Sequence, residues 1–277
     1  MPIQIGSDTN WFKLGEQAEK RSFAIKTDGT LWGWGNDDYG SLGNGDSIVG
    51  SDTPTQIGTD TNWKSVSSGF EFSVGLKTDG TLWTWGSDYK GALGNGAYTL
   101  EVYSPTQVGT SSNWKSASAG SNHVIAVKTD GALWGWGWNV HYQLGNNSNI
   151  DKNSPIQIGT LTDWDIAYAG FEYSMAKKNN GSMWSWGYNY SMQLGSSGYA
   201  YDNLDEEVPV QIGNDLDWDY VGPSYNHTMG LKNDGSLWIW GGGYNGAMGN
   251  GTTIGHSTPV LLQCPVSILG SEVIEGE

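Results

Sequence analysis

An all-β propeller of five four-stranded antiparallel blades is the fold this sequence predicts, and three observations predict it. A Trp-x-Trp-Gly stretch recurs with its closing glycine at 35, 86, 137, 187 and 241, in steps of 51, 51, 50 and 54 residues. Proline keeps the same beat at 2, 54, 105, 155, 209 and 259, and a further tryptophan follows each of the first five prolines by nine residues. Four short strand-like segments fit into each repeat, and such units bury their apolar faces by stacking on one another.

The second repeat shows the elements in order. Lys64–Gly69 is a strand of small residues. Phe72–Lys77 alternates with period two, so Phe72, Val74 and Leu76 share a face. Ala24, Gly75, Ala126, Ala176 and Gly230 hold one position on the other face, small enough to admit the backbone of an adjacent blade. A Thr-Asp-Gly turn at 78–80 then reverses the chain, its glycine suited to the positive φ of a tight hairpin. Leu82-Trp83-Thr84-Trp85-Gly86 follows, with both indoles expected on one buried face and Thr84 on the other. Pro105–Val108 ends the repeat, proline being suited to a strand start or an edge. Counted from proline to proline, the repeats run 2–53, 54–104, 105–154, 155–208 and 209–263, with 264–277 as a tail or linker.

Composition removes several function classes. The 277 residues carry a formal net charge of −16, against the basic footprint that nucleic acid binding needs. The same acidity disfavours anionic membranes, and no apolar run of about 18 residues is present to insert into one. The 42 glycines follow no collagen period and form no phosphate cradle, so no cofactor is expected. Cys264 is the single cysteine, which precludes an intrachain disulfide. Asn36-Asp37-Asp38 and Asp202–Glu207 are oxygen-rich but lack the spaced ligands of a calcium loop, and no metal site is assigned. His123 and His227 share a repeat position with Arg21, Phe72 and Tyr173, which marks packing. His141 and His256 fall in loops without a nucleophile signature, so catalysis is not expected.

One repeat reads Gly120, His123, Asp130-Gly131, Trp136-Gly137, Leu144-Gly145 and Pro155. Gly40-Ser41-Leu42-Gly43, Gly91-Ala92-Leu93-Gly94 and Gly246-Ala247-Met248-Gly249 repeat its loop element. This pattern resembles the regulator of chromosome condensation family across almost all of residues 2–263. The early glycine is Gly69, Gly120 and Gly170 but becomes Ala18 and Ser224 in the end repeats. The resemblance implies a β-propeller, usually seven-bladed. The chain is therefore expected to be part of a longer propeller, with repeats before Met1. A five-bladed ring with a surplus edge strand at Pro2 or Pro259 is the competing expectation. Cys264–Gly270 resembles the connection before the sorting domain of bacterial type IX secretion substrates. A bacterial protein at the cell surface or outside the cell is accordingly expected, with a cytoplasmic setting left open.

The candidate site lies between each Trp-Gly and the following proline. The first part of that segment has fixed length, with Leu or Met seven residues past the glycine; the second part varies. Tyr39, Tyr89, Tyr98, Tyr103, Tyr142, Tyr188, Tyr190, Tyr199, Tyr201 and Tyr244 fall there, as does Trp138, the one tryptophan outside the repeat pattern. Variable loops on a fixed scaffold, rich in Tyr, Asn, Ser and Gly, are suited to recognition. These residues equally suit the covering of blade edges. The function read from them is a non-catalytic binding scaffold for a protein or a glycan. The alternative, implied by the family alone, is a guanine nucleotide exchange factor for a small GTPase. A light-sensing role like that of the family's plant receptor lacks its Gly-Trp-Arg-His-Thr motif.

Overall fold

Each Trp-x-Trp stretch forms the third strand of a four-stranded antiparallel sheet. The computed structural model describes residues 6–16, 20–46, 50–98, 100–196 and 205–263. Blade one is β1 (Trp11–Leu14), β2 (Arg21–Lys26), β3 (Leu31–Gly35) and β4 (Ser51–Gln56), and blade two is β5 (Trp63–Ser68), β6 (Phe72–Lys77), β7 (Leu82–Ser87) and β8 (Glu101–Gln107). Blade three is β9 (Trp114–Ala119), β10 (His123–Lys128), β11 (Leu133–Gly137) and β12 (Lys152–Gln157). Blade four is β13 (Trp164–Ala169), β14 (Tyr173–Lys178), β15 (Met183–Gly187) and β16 (Glu206–Gln211). Blade five is β17 (Trp218–Pro223), β18 (His227–Lys232), β19 (Leu237–Gly241) and β20 (His256–Leu261). In every sheet the strands pair in sequence order.

Pro54, Pro105, Pro155, Pro209 and Pro259 sit inside the fourth strands rather than at their starts. Pro54, for example, is the fourth residue of β4. These strands are the outer edges of the sheets, where a missing N–H costs no ladder bond. His256 likewise begins β20 and is not a loop residue. Each sheet runs from its leading tryptophan past the next proline. The Pro2–Gly6 strand and the tail 264–277 fall, but for Gly6, outside the described residues.

Inside a blade the aromatic core is a tryptophan triad. Trp63 at the start of β5 meets Trp83 and Trp85 edge-on, with centroids 6.4 and 5.9 Å apart. Trp85 is fully buried and Trp83 partly so. Thr84, on the other face, is buried as well and donates to the Leu93 carbonyl at 2.7 Å. The small position on the second strand serves this triad. A Cβ on Gly75 would lie 2.5 Å from Trp63 and 3.1 Å from Trp85. It therefore admits the blade's own indoles, and not the neighbouring backbone that the sequence reading expected.

A second tryptophan joins each blade to the one before. The Nε1–H groups of Trp85, Trp136, Trp186 and Trp240 donate to the carbonyls of Ser41, Ala92, Gln143 and Gln193 at 2.9–3.0 Å. The packing position shared by Arg21, Phe72, His123, Tyr173 and His227 faces the following blade in blades one to four. Arg21 donates to the carbonyls of Gly69 and Phe72, His123 Nε2 lies 2.9 Å from Ser174 Oγ, and the Tyr173 hydroxyl donates to the His227 carbonyl. Ser174 Oγ donates to the Gln143 carbonyl, so it accepts from His123, which fixes the proton on Nε2.

Blade five has a bare face among the described residues. Met229 and Leu237 are 43% and 37% exposed, whereas Met175 and Met183, their counterparts in blade four, are fully buried. Among the described residues nothing covers that face of blade five.

Candidate functional site

Antiparallel order sends the first-to-second and third-to-fourth strand connections of every blade to one end of the propeller, here called the upper end. The hairpins and the blade-to-blade links lie at the lower end.

The lower end repeats one arrangement. The lysine closing each second strand, such as Lys77, lies over the first two tryptophans of its blade, 4.8 Å from Trp63 and 3.6 Å from Trp83. Lys26, Lys128, Lys178 and Lys232 do the same in the other blades. Lys77 also meets Asp60 at 2.6 Å, Lys26 and Lys232 have equivalent aspartates, and Lys178 meets Asp163 from a different repeat position.

At the upper end two sets of connections meet. The first-to-second connections form the inner rim through backbone bonds: Phe70 N–H to Ser121, Ser121 N–H to Phe171 and Phe171 N–H to Ser224. The early glycine is needed there because a Cβ on Gly120 would lie 2.5 Å from the Gly170 carbonyl. The residue after this position places a ring on the rim in three blades, as Phe70, Phe171 and Tyr225, and is Ser121 in blade three; Phe70 is 37% and Tyr225 63% exposed. The third-to-fourth loops surround this rim. Their fixed length has a cause: Asp37, Asp88, Asn139 and Asn189 accept the amides of Leu42, Leu93, Leu144 and Leu194 through a side-chain oxygen. The turn between them needs positive φ. Blades one, two and five use Gly40, Gly91 and Gly246 there, but blades three and four hold Tyr142 at 58° and Met192 at 63°. A bulky side chain in that conformation costs about 1–2 kcal/mol.

The predicted residues separate into two groups. Tyr39, Tyr89 and Tyr98 line a cleft of about 660 Å³ between blades one and two, with Lys90, Glu101 and Asp151. Lys90 Nζ is 3.6 Å from Asp151 and 5.6 Å from the Tyr89 ring centre. Tyr103 does not join them; its ring packs on Gly40 and its hydroxyl donates to Glu101. Tyr142 lies beside Glu207, whose charge raises the phenol pKa. Tyr244 stands apart on blade five, 58% exposed. Tyr199 and Tyr201 lie outside the described residues.

The second group spans blades three and four. The Trp138 and His141 rings are 6.1 Å apart, His141 and Tyr188 4.6 Å, and Tyr188 and Tyr190 stack at 6.3 Å. Phe171 and Tyr225 form a neighbouring pair at 4.3 Å. His141 Nδ1 is 2.9 Å from Asp205, and its Nε2 is 3.9 Å from Glu172. Burial pushes the Glu172 carboxyl above its ordinary pKa, partly opposed by His141. Burial likewise raises the Tyr188 phenol, with the Glu172 and Asp205 charges adding to it. Sequence reasoning missed Phe171, Glu172 and Tyr225, which come from the rim, and set His141 aside. The signal was the ring at the position after Gly69, Gly170 and Ser224. Among the described residues no group of three or more His, Cys, Asp or Glu side chains is arranged to hold a metal ion.

Known proteins match this chain along most of its length. A family model described as the RCC1-like domain covers residues 17–275. The ultraviolet-B receptor UVR8 of Arabidopsis thaliana is 29% identical over 252 residues, which is 88% of this chain and 56% of the receptor. The human E3 ubiquitin-protein ligase HERC2 is 34% identical over 134 residues, 47% of this chain and 3% of the ligase. The chain thus spans little more than half of the receptor and a small fraction of the ligase. Among solved structures, human WBSCR16 gives a TM-score of 0.79 at 22% identity over 92% of this chain and 67% of its own. Prp20p of Saccharomyces cerevisiae, whose structure was reported with its binding to Gsp1p and histones, gives 0.76 at 20% identity over 90% and 62%. At these identities the likeness speaks for the fold.

Proposed function

The chain belongs to the RCC1-like domain family, and on that premise we propose that it is a non-catalytic scaffold that binds a protein partner with the upper end of its propeller. The observation that carries this reading is the concentration of accessible rings and carboxylates in the upper connections, on a hydrogen-bonded rim. Protein binding is favoured over glycan binding because Prp20p, which shares the fold, is described by its binding to proteins. An exchange-factor role draws on family membership alone; nucleotide release from a small GTPase is its own assay.

The test is photo-crosslinking in extract from the source cells. Benzoylphenylalanine replaces Tyr89 or Tyr190 at the upper end, and Leu161 or Leu216, both exposed, at the lower end. The reading expects a discrete protein adduct from the upper positions alone. Adducts of equal yield from both ends, or from the lower end alone, overturn it.

A further inference from the structure

Among the described residues, the carboxylates of the second ring group lack the lysine that an equivalent place in the same chain possesses. Phe70-Glu71 in blade two and Phe171-Glu172 in blade four occupy the same repeat position. In blade two the cation is built in: Lys20, from the preceding blade, lies 5.3 Å from the Phe70 ring centre, and its charge partly offsets the rise that burial imposes on the Glu71 pKa. The residue equivalent to Lys20 before Phe171-Glu172 is Asn122. No lysine or arginine pairs with Glu172 or Asp205 among the described residues. Among the described residues their basic neighbour is His141, a single ring shared between the two carboxylates. It lies nearer Asp205, at 2.9 Å against 3.9 Å for Glu172. The Glu172 side chain is nevertheless only 17% exposed. A carboxylate held mostly out of water with so little compensation is costly, and a cation relieves that cost.

The lower end shows what such a set of groups holds. There, rings and an aspartate surround an ammonium, as Trp63, Trp83 and Asp60 surround Lys77. Phe171, Tyr188, Tyr225, Glu172 and Asp205 offer the same chemistry without the cation. We propose that this group is a binding site for an arginine or lysine side chain of a basic protein segment. The guest charge lies against the aromatic faces and pairs with Glu172. This rests on the upper end being the binding surface, and it names the partner chemistry that surface selects.

The probe is an octa-arginine peptide, with octa-citrulline as its neutral counterpart, titrated calorimetrically at low salt. Octa-arginine is expected to bind at least about tenfold more tightly than octa-citrulline, a difference of about 1.4 kcal/mol. Glu172→Gln should weaken octa-arginine binding about tenfold. Asn122→Lys should do the same by supplying the cation internally, as Lys20 does. Glu71→Gln, where the cation is already present, should stay within about twofold of wild type. Unfolding midpoints check that each variant folds, and two independent variants keep the test decisive. The proposal is overturned if Glu172→Gln and Asn122→Lys bind like wild type, if Glu71→Gln loses as much, or if octa-citrulline binds equally. Should upper-end crosslinks persist in that event, the cation site alone fails; should they also be absent, the binding surface itself is wrong.

Discussion

The two ends of this propeller use the same residue types to opposite purpose. At the lower end, five lysines lie over five tryptophan pairs, and the arrangement barely changes from blade to blade. At the upper end, rings and carboxylates again meet, but each blade differs, and among the described residues Glu172 and Asp205 pair with no lysine or arginine. On the proposed function, the difference separates scaffold from recognition by chemistry rather than by position. Where the chain meets its own electrostatic and packing needs, the pattern is fixed; where it does not, the remaining need points to a guest.

The largest effect that could break this comparison is on the scaffold. Trp85→Ala removes a fully buried indole and its bond to Ser41, and should destabilise by about 3–5 kcal/mol in chemical denaturation. An unchanged midpoint would remove the indole from the core. A matched pair follows. Met175→Ala should cost about 2–5 kcal/mol, whereas Met229→Ala, at the same repeat position on the bare side of blade five, should cost less than about 1. Equal losses would mean that a neighbour covers blade five in solution.

The pH dependence comes next. Burial pulls the His123 pKa down to about 3, below its unfolded value near 6.5. In that window the unfolded chain holds more protons, so stability falls as pH drops from 6.5 towards 3, by about 1.4 kcal/mol per unit from this group. Above 6.5 the group contributes no slope. Denaturation midpoints against pH for wild type and His123→Phe, the residue blade two uses at Phe72, isolate the effect. Equal slopes for the two proteins contradict it.

A smaller effect sharpens the account of the tryptophan pairs. Trp32, Trp83, Trp184 and Trp238 donate Nε1–H to a Thr or Ser two residues earlier. Blade three has Ala132 there, and the buried Trp134 Nε1 has no partner. Ala132→Ser should therefore stabilise by about 0.5–1.5 kcal/mol, measured by urea denaturation. A neutral or destabilising result shows that the serine cannot reach the indole.

Much of the scaffold was legible because tryptophan, glycine and proline punctuate it. The blade count, the strand order and the hairpin turns follow from spacing and from the φ demands of glycine. The lysine cradles were equally regular at 26, 77, 128, 178 and 232, yet their meaning depends on rings brought over them by two other strands. The small position of Gly75 was visible, but its partner was misassigned, because pattern alone cannot say which indole fills a gap. At the upper end the loop tyrosines were visible as exposed aromatics. Glu172 and Tyr225 were not, since they come from a different connection, and only the sheet topology brings the two kinds of loop together.

The central claim is that the upper connections of blades three and four are a recognition surface and the lower end is not. Hydrogen–deuterium exchange of the protein with saturating octa-arginine tests it directly. The account predicts slowed exchange in residues 138–147, 170–173 and 188–192, with the lower hairpins at 78–80, 129–131 and 179–181 unchanged. Protection at those hairpins, or spread evenly around the ring, would contradict it.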